Sequence, residues 1–145
     1  MEQKCAPYTR QYQSIQSRII TPAYVMFEDA GLRVNAIWDT GATGTSVSSR
    51  VVEKLGLTPT GQKKIVGLGG VQTLNRYVVD IQLPNKAKIK NIPVISNDAF
   101  INDADMLIGM DIISCGDFAI SNLDGKTTFS FRMPSMEIID FTKRR

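Results

Sequence analysis

From Ile19 to Phe131 the chain is cut into short alternating runs by glycine, proline, asparagine and aspartate, and this punctuation constrains its fold more than any other feature. Tyr24–Phe27 reads as a strand entering a turn that Gly31 permits. Leu32 to Trp38 alternates large apolar residues with Arg33 and Asn35, which predicts a half-buried strand delivering Asp39 at its end. A Gly/Thr/Ser loop spans 39–48. Ser49 to Leu55, followed by Gly56, predicts a short helix with a glycine C-cap. Lys63–Val66, Thr73–Leu83 and Ala87–Ile95 predict further strands, the first two separated by the glycine-rich tip Gly67-Leu68-Gly69-Gly70. Asp105 to Ile113 reads as a buried strand that breaks at Gly109 into a helical turn. Phe118–Ile120 and Thr127–Phe131 flank the turn signal Asp124-Gly125. Many short strands with one or two short helices predict a mainly all-β domain, a barrel or a sandwich.

The 145 residues suit one domain with a sizeable core. Residues 1–20 are polar and Gln-rich and read as an extension, flexible or lent as a strand to a dimer partner. Residues 21–140 form the domain, and 141–145 are a solvated basic tail. Lys4, Arg10, Arg18, Lys143, Arg144 and Arg145 place the cationic excess at the ends, so the body carries no basic stripe of the kind nucleic acid requires. No apolar run is long enough to span a membrane, and the N-terminus lacks the apolar core of a signal peptide. Cys5 and Cys115 lie far apart and read as free thiols in a reducing compartment. These features together predict a soluble cytoplasmic protein. Lys86, Lys88 and Lys90 alternate with smaller residues, as on a solvated strand face or protected edge.

The absence of histidine excludes His-based triads, imidazole bases and His zinc ligands. Gly125-Lys126-Thr127 resembles the end of a phosphate-binding loop, but Ile120 stands where that loop needs glycine. Gly67–Gly70 lacks the spacing and the βαβ setting of a dinucleotide fingerprint. No metal or cofactor is expected. What remains is Asp39-Thr40-Gly41-Ala42, a carboxylate at the end of a core strand followed by a hydroxyl and a glycine.

Its surroundings give it meaning. Ile37-Trp38 precede the aspartate, Thr45-Ser46-Val47 close the loop, a glycine-rich hairpin tip follows some thirty residues on, and Leu107-Ile108-Gly109 comes late. This ordered set resembles the retropepsin-like aspartic proteases, the single-domain retroviral type that includes stand-alone bacterial members. The resemblance runs from about Pro22 to Phe131 and implies a closed acid-protease-type barrel, one lobe per chain. It implies an aspartic endopeptidase acting on extended polypeptides, in which Asp39 is catalytic and Thr40, Gly41 and Ala42 shape its loop. Gly67, Leu68, Gly69 and Gly70 would tip a flap over the substrate, and Leu107, Ile108 and Gly109 would support the site. In this family two such loops meet and their carboxylates share a proton, because like charges that close do not both ionise. One Asp-Thr-Gly is half a site, so the resemblance implies an obligate homodimer. Met1 and the lack of a flanking zinc knuckle favour a free-standing protein over a polyprotein segment.

Two departures stand out. Retroviral relatives carry an acid after Asp-Thr-Gly-Ala and an arginine after the late glycine; Thr43 and Met110 stand there, a paired neutral replacement that leaves no buried charge unmatched. Ala42 replaces the Ser or Thr of pepsin-like enzymes and removes a hydrogen bond to the charged carboxylate, which predicts a less acid optimum than pepsin's. The alternative reading keeps the same fold as a catalytically silent dimer that binds extended peptides.

Overall fold

The computed structural model describes residues 6–67, 69–99 and 104–143. Ten strands and two short helices follow one another: β1 (Tyr8–Gln11), β2 (Ile19–Phe27), β3 (Ala30–Trp38), β4 (Ser46–Val47), α1 (Ser49–Leu55), β5 (Gly61–Gly67), β6 (Gly70–Gln82), β7 (Lys88–Ser96), β8 (Met106–Ile108), α2 (Met110–Ile113), β9 (Asp117–Ser121) and β10 (Thr128–Arg132). Six of them close a barrel. The order β2-β3-β8-β4-β7-β6 returns to β2 through Tyr24↔Gln82, Val25↔Ile81 and Met26↔Asp80. The expected mainly-β closed barrel with two short helices is the observed architecture.

Alternation builds the core. Along β2 and β3 the pairs Ala23↔Val34, Thr21↔Ala36 and Ile19↔Trp38 all face inward and are buried, joined by Tyr77, Val79 and Ile81 of β6 and by Met106 and Ile108 of β8. Trp38 packs in tilted contact on Phe131 and Phe129, with ring centroids 4.8 and 5.0 Å away, and its indole N–H donates to the buried Thr21 hydroxyl at 2.9 Å. The one polar atom of the largest core side chain is thereby satisfied. The β2–β3 turn differs from expectation: Glu28 takes the positive φ (54°), while Gly31 lies inside β3 opposite Met26. Helix α1 buries Val51 and Leu55, one turn apart, and ends at Gly56 in the left-handed region (φ 61°), as the sequence predicts.

A second sheet, β1-β10-β9, closes one end of the core. Part of the extension is thus docked on its own chain: Tyr8–Gln11 pair with Phe131–Thr128 of β10. Tyr8 packs on Phe129, and the Tyr12 hydroxyl donates to the Ile20 carbonyl at 2.6 Å. Two aromatic side chains hidden in a polar run anchor it, which hydropathy alone does not show. Past β10 the chain is tethered by Asp117, whose carboxylate accepts hydrogen bonds from the Met136 N–H, the Ser135 hydroxyl and the Arg132 guanidinium. Those donors hold its carboxyl well below the usual carboxylate range. Beyond this clasp the chain stays exposed through Lys143, with Ile138 and Phe141 in solvent. A cavity of about 570 Å³ lies between this segment and the second sheet. Lys86, Lys88 and Lys90 are exposed, and Cys115 is an exposed free thiol. Cys5, Arg144 and Arg145 lie outside the described residues. Among those described, no helix is long and apolar enough to cross a membrane.

Candidate active site

Asp39 follows directly on Trp38, whose packing fixes where β3 ends. The Asp39 N–H donates to the Ile108 carbonyl at 2.9 Å, extending by one residue the parallel β3–β8 ladder that pairs Ile37 with Leu107 and Trp38 with Ile108. The chain then curls back on itself. Gly41 N–H donates to the Asp39 Oδ1 at 2.8 Å, and Ala42 N–H to the Asp39 carbonyl at 3.2 Å. A Cβ on Gly41 would lie 3.2 Å from the Asp39 Oδ1, so a side chain there crowds the carboxylate it serves. Asp39 is half-buried and Thr40 is exposed. The Thr40 hydroxyl makes no hydrogen bond among the described residues.

The rest of the loop rests on β8 and α2. Met110 N–H donates to the Ala42 carbonyl at 2.8 Å. Gly109 N–H donates to the Thr45 hydroxyl oxygen at 3.2 Å, and that hydroxyl donates to Asp111 Oδ1 at 2.8 Å. The Thr45 N–H completes the clasp on Asp111 Oδ2 at 3.1 Å. Gly109 lies so close that a Cβ there would sit 2.5 Å from the Gly44 carbonyl oxygen and 3.0 Å from that of Ala42. Only glycine fits. Sequence reasoning places Thr43 and Met110 as a neutral replacement of a charge pair but misses what took over. A polar link joins the same two segments, shifted to Thr45 and Asp111. A hydroxyl and an acid just beyond the two neutralised positions are the signal that could have found it.

Opposite the loop, β5 and β6 form a hairpin whose last pair is Gly67↔Gly70. The expected glycine tip is therefore a turn between two strands, with Gly70 at φ +102°; Leu68 lies outside the described residues. Only from Arg76 onward does β6 also pair with β7, so the outer part of the hairpin stands off the barrel on its own ladder. Val66 and Val71, paired at its end, are 80% and 66% exposed. Two cavities adjoin the Asp39 loop and share Leu107 as a wall. One, of about 590 Å³, runs from Gly41–Ser46 to Lys63, Ile65 and Arg76 of the hairpin. The other, of about 620 Å³, holds Asp39 and Thr40 with Arg18, Trp38 and Phe118. A carboxylate on a fixed loop that adjoins two clefts, one holding the carboxylate and the other bordered by a projecting hairpin, is suited to acid–base work on an extended ligand. Among the described residues, no group of His, Cys, Asp or Glu is arranged to hold a metal ion.

Residues 22–112, which contain the loop, the hairpin and Leu107–Gly109, match the family model described as aspartyl protease. The chain belongs to the aspartyl protease family. The barrel of this aspartyl protease family member is also that of solved relatives. A retropepsin-like aspartic protease from Rickettsia conorii superposes with a TM-score of 0.60 at 14% identity, covering 92% of this chain and 98% of that one. The simian foamy virus (mac) protease gives a TM-score of 0.50 at 19% identity, covering 66% of this chain and 92% of that one. Comparison with curated proteins finds no match. The likeness to the solved structures establishes a shared retropepsin-like fold.

Proposed function

We propose that this chain is an aspartic endopeptidase active as a homodimer, with Asp39 of each copy forming a catalytic dyad on the two-fold axis. The observation that carries this reading is the Asp39 loop itself. It is fixed from beneath by Ile108, Gly109 and Asp111, it leaves its carboxylate half-buried, and it occurs once per chain. Two copies facing each other bring two carboxylates together, where mutual repulsion keeps one protonated. The ionised one removes a proton from a water; the resulting nucleophile attacks the scissile carbonyl carbon while the protonated one donates to its oxygen. Thr40, exposed and with a hydroxyl that makes no hydrogen bond among the described residues, suits a contact to the partner loop. The hairpin acts as the flap, closing over an extended peptide and offering backbone hydrogen bonds in the manner of an added strand. The exposed Val66 and Val71 gain apolar cover on closure. The domain spans residues 21–140 of this chain.

The test compares wild type with Asp39→Asn on a peptide library across acid to neutral pH. Cleavage is expected in wild type and lost by about a thousandfold in the variant, both dimeric by sedimentation. Activity per protomer falls on dilution as dimers dissociate. A monomer that keeps full specific activity overturns the shared site, and cleavage that survives in Asp39→Asn removes Asp39 from the chemistry. Peptide binding without cleavage in wild type establishes the silent binding dimer instead.

A further inference from the structure

Charge around the two cavities is distributed unevenly. Three cationic side chains border them: Lys63 and Arg76 on the hairpin side and Arg18 beside Asp39. The acids there are Asp39 itself and Asp111. Asp111 is already engaged, its carboxylate taking the Thr45 N–H, the Thr45 hydroxyl and the Ile112 N–H. Neither Lys63, Arg76 nor Arg18 has an ion-pair partner among the described residues. Strand register explains the first two. Gly61 pairs with Arg76 and Lys63 with Leu74, so Lys63, Ile65 and Arg76 stand on one face of the hairpin, the face that borders the Gly41–Ser46 cavity. Arg18 adds a second, independent observation: one guanidinium nitrogen is withdrawn from solvent and makes no hydrogen bond among the described residues. A charged nitrogen left that way is costly, and an anion arriving with a ligand removes the cost.

We propose that the cleft selects peptides with an acidic side chain near the scissile bond, with Lys63 and Arg76 as specificity residues and Arg18 as a second anion-binding group. The inference rests on the endopeptidase reading above and adds the substrate class. Extended peptides alternate their side chains, so a carboxylate two residues from an apolar neighbour reaches the same wall as Ile65, beside Lys63. A basic substrate side chain meets like charge on both flanks.

The test uses matched fluorogenic peptides that carry Glu, Gln or Lys in turn at each position flanking the scissile bond. In parallel, the same labelled peptides are titrated by fluorescence anisotropy against the Asp39→Asn dimer, which reads binding without chemistry. At one or more positions Glu is expected to exceed Gln about fivefold, with Lys weakest and the preference shrinking as salt rises. Lys63→Gln with Arg76→Gln should bring the Glu-to-Gln ratio close to one, and Lys63→Arg with Arg76→Lys should restore it. Equal handling of Glu and Gln in both measurements overturns the proposal, as does a preference indifferent to these substitutions. If no peptide is cleaved yet Asp39→Asn still binds Glu peptides preferentially, the endopeptidase reading fails and the charge selection stands. If Arg18→Gln leaves the dimer intact and the Glu-to-Gln ratio unchanged at every position, Arg18 leaves the proposal.

Discussion

The loop from Asp39 to Thr45 and the hairpin end from Ile65 to Gln72 face the same cleft and are both glycine-bearing, yet they use glycine for opposite purposes. At the loop, close approach is the reason, both for its own Gly41, where a Cβ would crowd the Asp39 Oδ1, and for Gly109 packed against it. A Cβ on the loop's other glycine, Gly44, would meet nothing within 4 Å. Gly109 lets β8 and α2 press against the Gly44 and Ala42 carbonyls, and the loop is tied at Asp39, Ala42 and Thr45 to Ile108, Gly109, Met110 and Asp111. In the hairpin, a Cβ on Gly67 or Gly69 would meet nothing within 4 Å, and the strands hold only each other. One region is over-determined by packing and the other is held only by its own ladder. The endopeptidase proposed above needs both, one to fix a carboxylate and the other to admit a long substrate.

That contrast can be broken by substitution. Gly109→Ala is expected to have the largest effect, destabilising the fold by about 3 kcal/mol in urea unfolding, because both colliding atoms are backbone and cannot swing aside. An unchanged midpoint would mean that the loop is far more compliant than its contacts indicate. Thr45→Val comes next, at about 2 kcal/mol, since it strands the Gly109 N–H and removes a donor from Asp111. Its peptide cleavage should fall together with its stability. Gly67→Ala should change stability by less than about 0.5 kcal/mol, and any effect should appear in substrate turnover instead. A loss as large as that for Gly109→Ala would erase the distinction between the two regions.

The smallest expected effect is confined to the chain beyond β10. The Asp117 carboxyl is held below its ordinary range by Met136 N–H, the Ser135 hydroxyl and Arg132. A depressed folded value makes its contribution fully present above the unfolded carboxylate range, near pH 4. The contribution is lost as pH falls from there toward the lower folded value. Acidification below about pH 4 should therefore speed proteolysis and amide exchange at residues 134–140, while the barrel stays protected. Asp117→Asn should show the faster rate already at neutral pH and little further change on acidification. A segment that stays equally protected at all pH values in both forms would show that contacts other than Asp117 hold it.

Much of this molecule was legible in the chain. Alternation marked the strands, Gly56 stopped α1 where expected, and the break at Gly109 separated β8 from α2. Those signals are local, a side-chain period or a backbone conformation only glycine accepts readily. The loop after Asp39 was legible from its glycine, threonine and serine content, whereas the bond from Gly41 N–H to the Asp39 carboxylate that sharpens it was seen only in the structure. Less legible was the turn at Glu28, where a non-glycine residue accepts the positive φ that Gly31 was expected to ease. The strand at Tyr8–Gln11 was hidden for a different reason, since its anchor is an aromatic cluster completed by Phe129 at the far end of the chain.

The sequence by itself determined most of the barrel strands, the glycine stop of α1, the break at Gly109, and which carboxylate stands at the end of a core strand. Each depends on neighbours a few positions away. Only the tertiary structure decided that β2 closes on β6, that Thr45 and Asp111 tie the loop where a charge pair is missing, and that Lys63 and Arg76 border the same cavity as Gly41. Those facts join residues far apart in the chain, and such pairings are settled by which surfaces pack together without leaving a polar atom unmet or two backbones in collision.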